Sequence, residues 1–234
     1  MSALGDAEFE ILAAEESPIG MVCLRRRGIP SEPGAVVTEI TLDHQFLMSS
    51  ENTLSERVLA TRAIELHGGR DLGVLVGGLG LGYTAHAALA ARDVARVEVV
   101  ELLAPVIAWL AKGLVPLAPA LRDDPRFSVR QGDVYAELAD EPTRCHDVVL
   151  IDVDHAPDER LGPSNAGFYT PAGLARAKRH LAPGGVLAVW SYAASSPFAA
   201  ALRAVFDEVH VESLDFDNRV VEARETNWLF LARG

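Results

Sequence analysis

The first fifty residues alternate between short apolar-rich pieces and turn formers. EFEIL, GMVCL, VVTEITL and QFLM lie among Pro18, Gly20, Gly28, Pro30, Pro33 and Gly34, the pattern of hairpins in a small β-subdomain. At Thr53 the period changes. Leu54, Val58, Leu59, Ala63 and Leu66 recur at the spacing of one helix face, and Gly68-Gly69 ends the run. From there strand-like and helix-like segments alternate: LGVLVG then YTAHAALAA, RVEVVEL then PVIAWLAKGL, FSVRQ then VYAELA, DVVLIDV then TPAGLARAKRHL, VLAVWS then SPFAAALRAVF. The early strands are nearly unbroken apolar runs, as strands covered on both faces require. Such alternation predicts a mostly parallel sheet with right-handed crossovers. HVESLDF and NWLFLAR follow with no helix between them, so they are expected as antiparallel neighbours at one edge. The expected architecture is α/β: a doubly wound, mostly parallel seven-stranded sheet on residues 51–234, preceded by the β-subdomain on residues 1–50.

Composition narrows the function classes. The chain has 234 residues, 49% apolar and 23% charged, an ordinary balance for a soluble globular protein. Its net charge of −12 repels a phosphate backbone, so neither nucleic acid nor an anionic membrane is an expected partner. Arg25-Arg26-Arg27 is the one basic run and reads as a solvated loop. Cys23 and Cys145 sit in no CxxC motif and near no His cluster, which gives neither a disulfide framework nor a zinc signature. MSALGDAEFE lacks a basic start and an apolar centre, and no apolar run approaches a membrane span. The expected location is the cytoplasm.

VLVGGLGLGYTAHAAL, residues 74 to 89, carries the first chemical signal. Gly77, Gly78, Gly80 and Gly82 fall where a strand ends and a helix begins. Glycine there permits a tight turn and lets a ligand lie against the backbone. In a doubly wound sheet, ligands bind beyond the carboxyl ends of the strands. Glu101 ends the second strand about twenty residues on, where an acid accepts hydrogen bonds from ribose hydroxyls. Asp133 ends the third strand and has two readings, an acceptor for an adenine amino group or a helix N-cap. Leu102 and Val134, next to these acids, complete the cofactor-binding set. The spacing Gly78-x-Gly80-x-Gly82 is shorter than the dinucleotide GxGxxG. With the acid after the third strand, it looks like the S-adenosylmethionine-dependent transferase fold.

Asp152, Asp154 and His155, in DVVLIDVDHAP, form the richest cluster of titratable groups and are the candidate catalytic residues. A nucleophile attacking a sulfonium carbon must shed a proton, and a carboxylate or imidazole near neutral pKa can take it. The competing readings are a capping Asp152 and a solvated loop for the other two. The spacing is too local for a metal site, and no metal is expected.

Within that fold the chain resembles the spermidine synthase (polyamine aminopropyltransferase) family. The resemblance rests on the N-terminal β-subdomain, VLVGGLGLG, VVELLAPVI, DDPRFSVRQGD, DVVLIDVDHAP and GFYTPAGLARAKRHLAPGGVLAV. It implies a Rossmann-like methyltransferase fold and S-adenosylmethionine or its decarboxylated form as cofactor. It further implies a small-molecule acceptor such as an amine, and a homodimer paired through the β-subdomain. It places Glu56, Tyr169 and Trp190 at the acceptor side and makes Asp152 the group that deprotonates the attacking amine. The chain departs from the pattern at several positions. The family's glycine turn, GGGDGG, holds the donor's amine with its Asp, and Gly80 stands there. Leu103 replaces a second Asp. Leu54 and Ser55 replace the Tyr and His before Glu56. His155 replaces an acid, Ala156 a proline, and Trp190 a Gln. The nucleoside-holding positions are kept and most polyamine-holding ones are changed, which favours methyl transfer over aminopropyl transfer. Two other classes fit parts of the pattern: a non-catalytic cofactor-binding module, and an NAD(P)-dependent oxidoreductase, against which the absent third-spacing glycine counts.

Overall fold

The computed structural model describes residues 9–29, 32–153, 156–158, 165, 167–219 and 222–234. The four N-terminal strands, β1 (Phe9–Ser17), β2 (Gly20–Ile29), β3 (Glu32–Leu42) and β4 (Gln45–Ser49), pair antiparallel in the order β1-β2-β3-β4. Arg25 and Arg27 lie in β2, not in a loop, and both reach the buried Glu39 of β3, at 2.8 and 2.9 Å. The solvated-loop reading of this run is therefore corrected: cross-strand pairing places the arginines beside an acid that burial would otherwise leave uncompensated.

The second sheet holds β5 (Leu72–Gly77), β6 (Val94–Glu101), β7 (Phe127–Gln131), β8 (His146–Ile151), β9 (Leu181–Ser191), β10 (Glu208–Asn218) and β11 (Ala223–Arg233). Their order is β10-β11-β9-β8-β5-β6-β7. β5, β6, β7, β8 and β9 run parallel, whereas β11 pairs antiparallel with both β9 and β10. This is the expected architecture, with the last two strands at one edge. Every residue of β5 is buried, as its unbroken apolar run requires.

The helices are α1 (Leu54–His67), α2 (Tyr83–Ala90), α3 (Ala104–Lys112), α4 (Ala118–Arg122), α5 (Val134–Ala139), α6 (Pro171–Lys178) and α7 (Ser196–Arg203). Two deviations from the sequence reading are local. Helix α4 is a single turn with too few residues to show a period. Helix α6 ends at Lys178, three residues short of the expected end at Leu181, because Leu181 already pairs with His146 and starts β9. None of these helices is long and apolar enough to cross a membrane.

One apolar cluster spans both sheets. Val22, Leu24 and Ile40 of the small sheet pack with Leu59, Ala60 and Ala63 of α1 and with Val74 and Val76 of β5. Glu15 of β1 takes the indole N–H of the fully buried Trp109 on α3 at 2.6 Å. Arg219, in the β10–β11 connection, bonds both Glu51 and Glu32. These contacts hold the small sheet against the carboxyl-end face of the large one, and β4 comes to lie on the glycine turn. The other face of the small sheet leaves Phe9, Ile11, Met21 and Phe46 exposed.

Candidate functional site

Three strand ends converge at the glycine turn. The Gly78 N–H bonds the Val100 carbonyl of β6 at 2.9 Å, and the Asp152 N–H, just beyond β8, bonds the Gly77 carbonyl at 2.9 Å. Gly78, Gly80 and Gly82 have φ of +93°, +50° and +91°, a region that glycine enters without the cost other residues meet. A Cβ on Gly78 would overlap the Asp152 carbonyl oxygen, so this glycine lets two backbones touch. A Cβ on Gly80 would overlap the Met48 sulfur, and that sulfur accepts the Leu81 N–H at 3.2 Å. Met48 had no signal in the sequence. It reaches the turn only because β4 is paired inward against it, and nothing local to QFLM reports that docking.

Glu101 is 6% exposed, and its two carboxylate oxygens accept the N–H groups of Leu79 and Leu103, each at 2.7 Å. Burial pushes its pKa up and these backbone bonds oppose that shift. The side chain therefore buttresses the glycine turn from below. The N–H groups of Gly80 and Leu102 face it as well, so the carboxylate gathers four backbone amides of the turn and the strand end. Asp133 caps α5, its Oδ1 taking the N–H of Tyr135 at 2.9 Å and of Ala136 at 3.2 Å, which is the capping reading of that residue. Leu102 is 45% exposed just past β6, while Val134, past β7, is buried against Gly77. Tight backbone at Gly78, an acid below the turn and an exposed Leu102 beside it fit an adenosine-type ligand.

On the far side of the turn, two carboxylates stand near enough to feel each other's charge. Asp152 leaves the end of β8, and the Thr84 hydroxyl in the first turn of α2 donates to its Oδ2. Glu56 projects from the first turn of α1, where the Ser55 hydroxyl donates to its Oε2 at 2.9 Å. Burial pushes Asp152 up to about 6. Burial, and then the negative Asp152, push Glu56 up to about 7, against its own backbone N–H, the Ser55 hydroxyl and Arg57. Arg57 lies over the Tyr83 ring at 5.5 Å and closes this side of the crevice.

The raised Glu56 makes a stability prediction. Its proton is held more tightly in the folded chain than at the ordinary value of 4.5. Its contribution is full below pH 4.5 and is lost as pH rises towards 7. Glu56→Gln, which mimics the protonated form, should match the parent chain at pH 4. At pH 8 it should exceed the parent by on the order of 1–3 kcal/mol in urea unfolding. Equal stability of the two chains at pH 8 would remove the cost assigned to this pair.

The other predicted residues fall elsewhere. Asp154 and His155 lie outside the described residues. Tyr169 packs into an aromatic stack with Phe168, Tyr135 and Phe198, ring centroids 5.0 to 6.0 Å apart. Its hydroxyl shares a 2.8 Å hydrogen bond with that of Tyr135. That stack belongs to the core on the α5–α7 side of the sheet, whereas Glu56 stands on the α1 side. Trp190 is on the α1 side, paired with Leu229, and its buried indole N–H finds no partner among the described residues. Asn227, two residues before Leu229 and so on the same sheet face, donates to Ser55 Oγ at 2.9 Å. The sequence reading passed over Asn227 inside a strand-like run. A cavity of about 190 Å³ between the last turns of α1 and the β10–β11 edge is lined by Arg62, Glu65 and Glu212, which pair with one another, and lies away from the crevice.

No protein-family model matches the chain. Solved structures do. A spermidine synthase in complex with the transition-state analogue AdoDATO superposes with TM-score 0.73 at 20% identity, over 95% of this chain and 73% of that one. Spermidine synthase from Thermotoga maritima gives 0.73 at 19% identity, over 95% and 72%. A probable spermidine synthase from Corynebacterium glutamicum gives 0.64 at 19%, over 96% and 80%. At this identity the likeness concerns the fold, and it extends through both sheets: the chain has the spermidine synthase-like fold.

Proposed function

We propose that the protein is a transferase that moves a methyl group from S-adenosylmethionine to a small amine held by Glu56 and Asp152. The observation that carries this reading is the buried Asp152 carboxylate, held by the Thr84 hydroxyl beside the glycine turn, with Glu56 of α1 near enough to feel its charge. Bound along the turn, an adenosyl sulfonium supplies an electrophilic carbon and leaves as a neutral thioether nucleoside. The chain's own groups do the rest. Gly78 seats the turn against the end of β8, Glu101 holds the turn and faces the sugar, and Leu102 covers the base. The carboxylate pair attracts an ammonium, and Asp152, with its pKa near 6, takes the proton that must leave nitrogen before nitrogen can attack. The small sheet, through Met48, and Arg57 over Tyr83 narrow the crevice so that acceptor and carbon meet in one orientation.

Aminopropyl transfer is the second reading, supported by the spermidine synthase structures that share the fold, one of them holding AdoDATO. Against it stand Gly80 and the thioether that covers it. No acid there meets the ammonium of an aminopropyl tail.

Purified chain is incubated with S-adenosylmethionine or its decarboxylated form and a panel of mono-, di- and polyamines, with products read by mass spectrometry and nucleoside binding by calorimetry. The expected result is a methyl-sized mass gain with S-adenosylmethionine. An aminopropyl-sized gain with the decarboxylated donor would reverse the order of the two readings. Absence of heat with every adenosyl nucleoside would end both.

A further inference from the structure

The crevice carboxylates are each pinned by a hydroxyl, and among the described residues one of those hydroxyls, that of Ser55, is itself held by a further side chain. Thr84 reaches Asp152 from α2. Ser55 reaches Glu56 from the preceding position of α1, and the Ser55 oxygen in turn receives Asn227 Nδ2 from β11, 172 residues away in the chain. Ser55 is 2% exposed and Asn227 9%, so neither exchanges these bonds freely with water.

The chain of bonds has a direction. A serine hydroxyl has one proton. Spent on Glu56, it leaves the Ser55 oxygen to accept, and the group facing it must be the NH₂ side of the Asn227 amide. Asn227 donates to Ser55, and Ser55 donates to Glu56. In that order the relay ends on a carboxylate oxygen that only accepts, and it favours the ionised form. Reversed, it would place an acceptor at position 227, turn the Ser55 proton away from Glu56 and favour the neutral acid.

We propose that Asn227 is a positioning residue that sets the charge state of Glu56 through Ser55, and thereby the pH at which the crevice accepts a cationic amine. The second half rests on the transferase reading above; the relay itself does not. The groups facing Glu56 are Asp152 from the end of β8, which opposes its ionisation, Arg57 on α1, which favours it, and Tyr83 on α2. From β11 the facing group is the neutral Asn227, and Trp190 of β9, also neutral, lies on the same side. Asn227 is thus the group on β11 whose replacement reverses the relay without touching either carboxylate.

The test uses the full chain labelled with ¹³C at the glutamate carboxyls. The Glu56 signal is assigned as the one missing in Glu56→Gln, and its midpoint is read from a pH titration of the ligand-free protein. Asn227→Asp keeps the shape but can only accept, and should raise the Glu56 midpoint by about 1 pH unit, the size expected when one hydrogen bond to the charged form is lost. Asn227→Leu, neutral and branched at the same carbon though larger, should raise it by less. The same Asn227→Asp change in a Ser55→Ala background should shift the midpoint by under half as much, since the relay is already cut there. An equal shift in both backgrounds would mean plain repulsion by a new charge and would overturn the relay, as would an unmoved midpoint in both Asn227 variants. Should Asn227→Asp fail to fold, Asn227→Leu with Ser55→Ala decides alone: an unmoved midpoint in both refutes the proposal. The pH profile of amine binding should move with the Glu56 midpoint. A parent chain that binds no amine while Glu56 titrates as expected would remove the transferase reading and leave the relay standing.

Discussion

Asp152→Asn is expected to lose about 10²–10⁴-fold in turnover, the usual size of a positioned base. Binding of the thioether nucleoside product should stay within about twofold, because that interaction is common to ground and transition states. The separation follows from where the parts stand. The side proposed for the nucleoside is built from Gly78, Glu101 and Leu102 around β5 and β6, whereas the Asp152 carboxylate turns towards Thr84. Asparagine can still accept the Thr84 hydroxyl through its Oδ1, so the local geometry survives; what it cannot do is take a proton. The parent's activity should rise with pH as Asp152 loses its proton, near pH 6. In the variant the lower limb of that profile should vanish together with the rate. The same change should raise stability above pH 6. A carboxyl whose folded pKa lies above the ordinary 3.8 costs stability as pH rises past that value, and the amide does not. A variant that turns over at the parent's rate would take Asp152 out of the chemistry, and one less stable at pH 8 would mean the carboxylate is held by partners that outweigh its burial. Loss of rate with gain in stability is the signature of a site that sacrifices packing for reactivity.

The fold was legible because its main signals are local. Unbroken apolar runs mark β5 and β8, helical spacing marks α1, and the two final runs without an intervening helix mark the antiparallel edge. The glycine turn was legible for the same reason, since backbone conformation at Gly78 and Gly80 is a property of a few neighbouring residues. What could not be read was contact made across the chain. Met48 over Gly80, Asn227 on Ser55 and Glu15 on Trp109 join residues 32, 172 and 94 positions apart, and each side looks ordinary by itself. Glu56 is the intermediate case. The family resemblance pointed to it, but its nearness to Asp152 depends on α1 lying across the ends of the sheet. Tyr169 is a further case: its packing with Tyr135 and Phe198, on two separate helices, has no signal in the residues around it. The basic run at Arg25 was misread because a strand whose alternate residues face a buried acid has the same composition as a solvated loop.

Gly78→Ala should be strongly disruptive. Two separate costs meet there. At φ +93° an L side chain is strained wherever it points, and the added methyl would point into the Asp152 carbonyl oxygen. That oxygen has little room to retreat, because the Asp152 N–H is bonded to Gly77 and β8 is paired on both sides. Relief must therefore come from the turn itself, by breaking the bond from Gly78 N–H to Val100 or by lifting Leu79 off Glu101. Either movement exposes the cradle that an adenosine would use. The expected loss is about 3–5 kcal/mol in urea unfolding, with nucleoside affinity lower by about tenfold or more in the fraction that folds. Gly113→Ala supplies the comparison. It too has positive φ, +76°, but its Cβ would meet only the Arg122 guanidinium, at an ordinary 3.9 Å. That variant should cost only the backbone strain, about 1–2 kcal/mol, and should bind nucleoside as the parent does. If the two alanines cost the same, the close approach of Gly78 to Asp152 does not constrain the site, and the turn is glycine-rich for conformation alone.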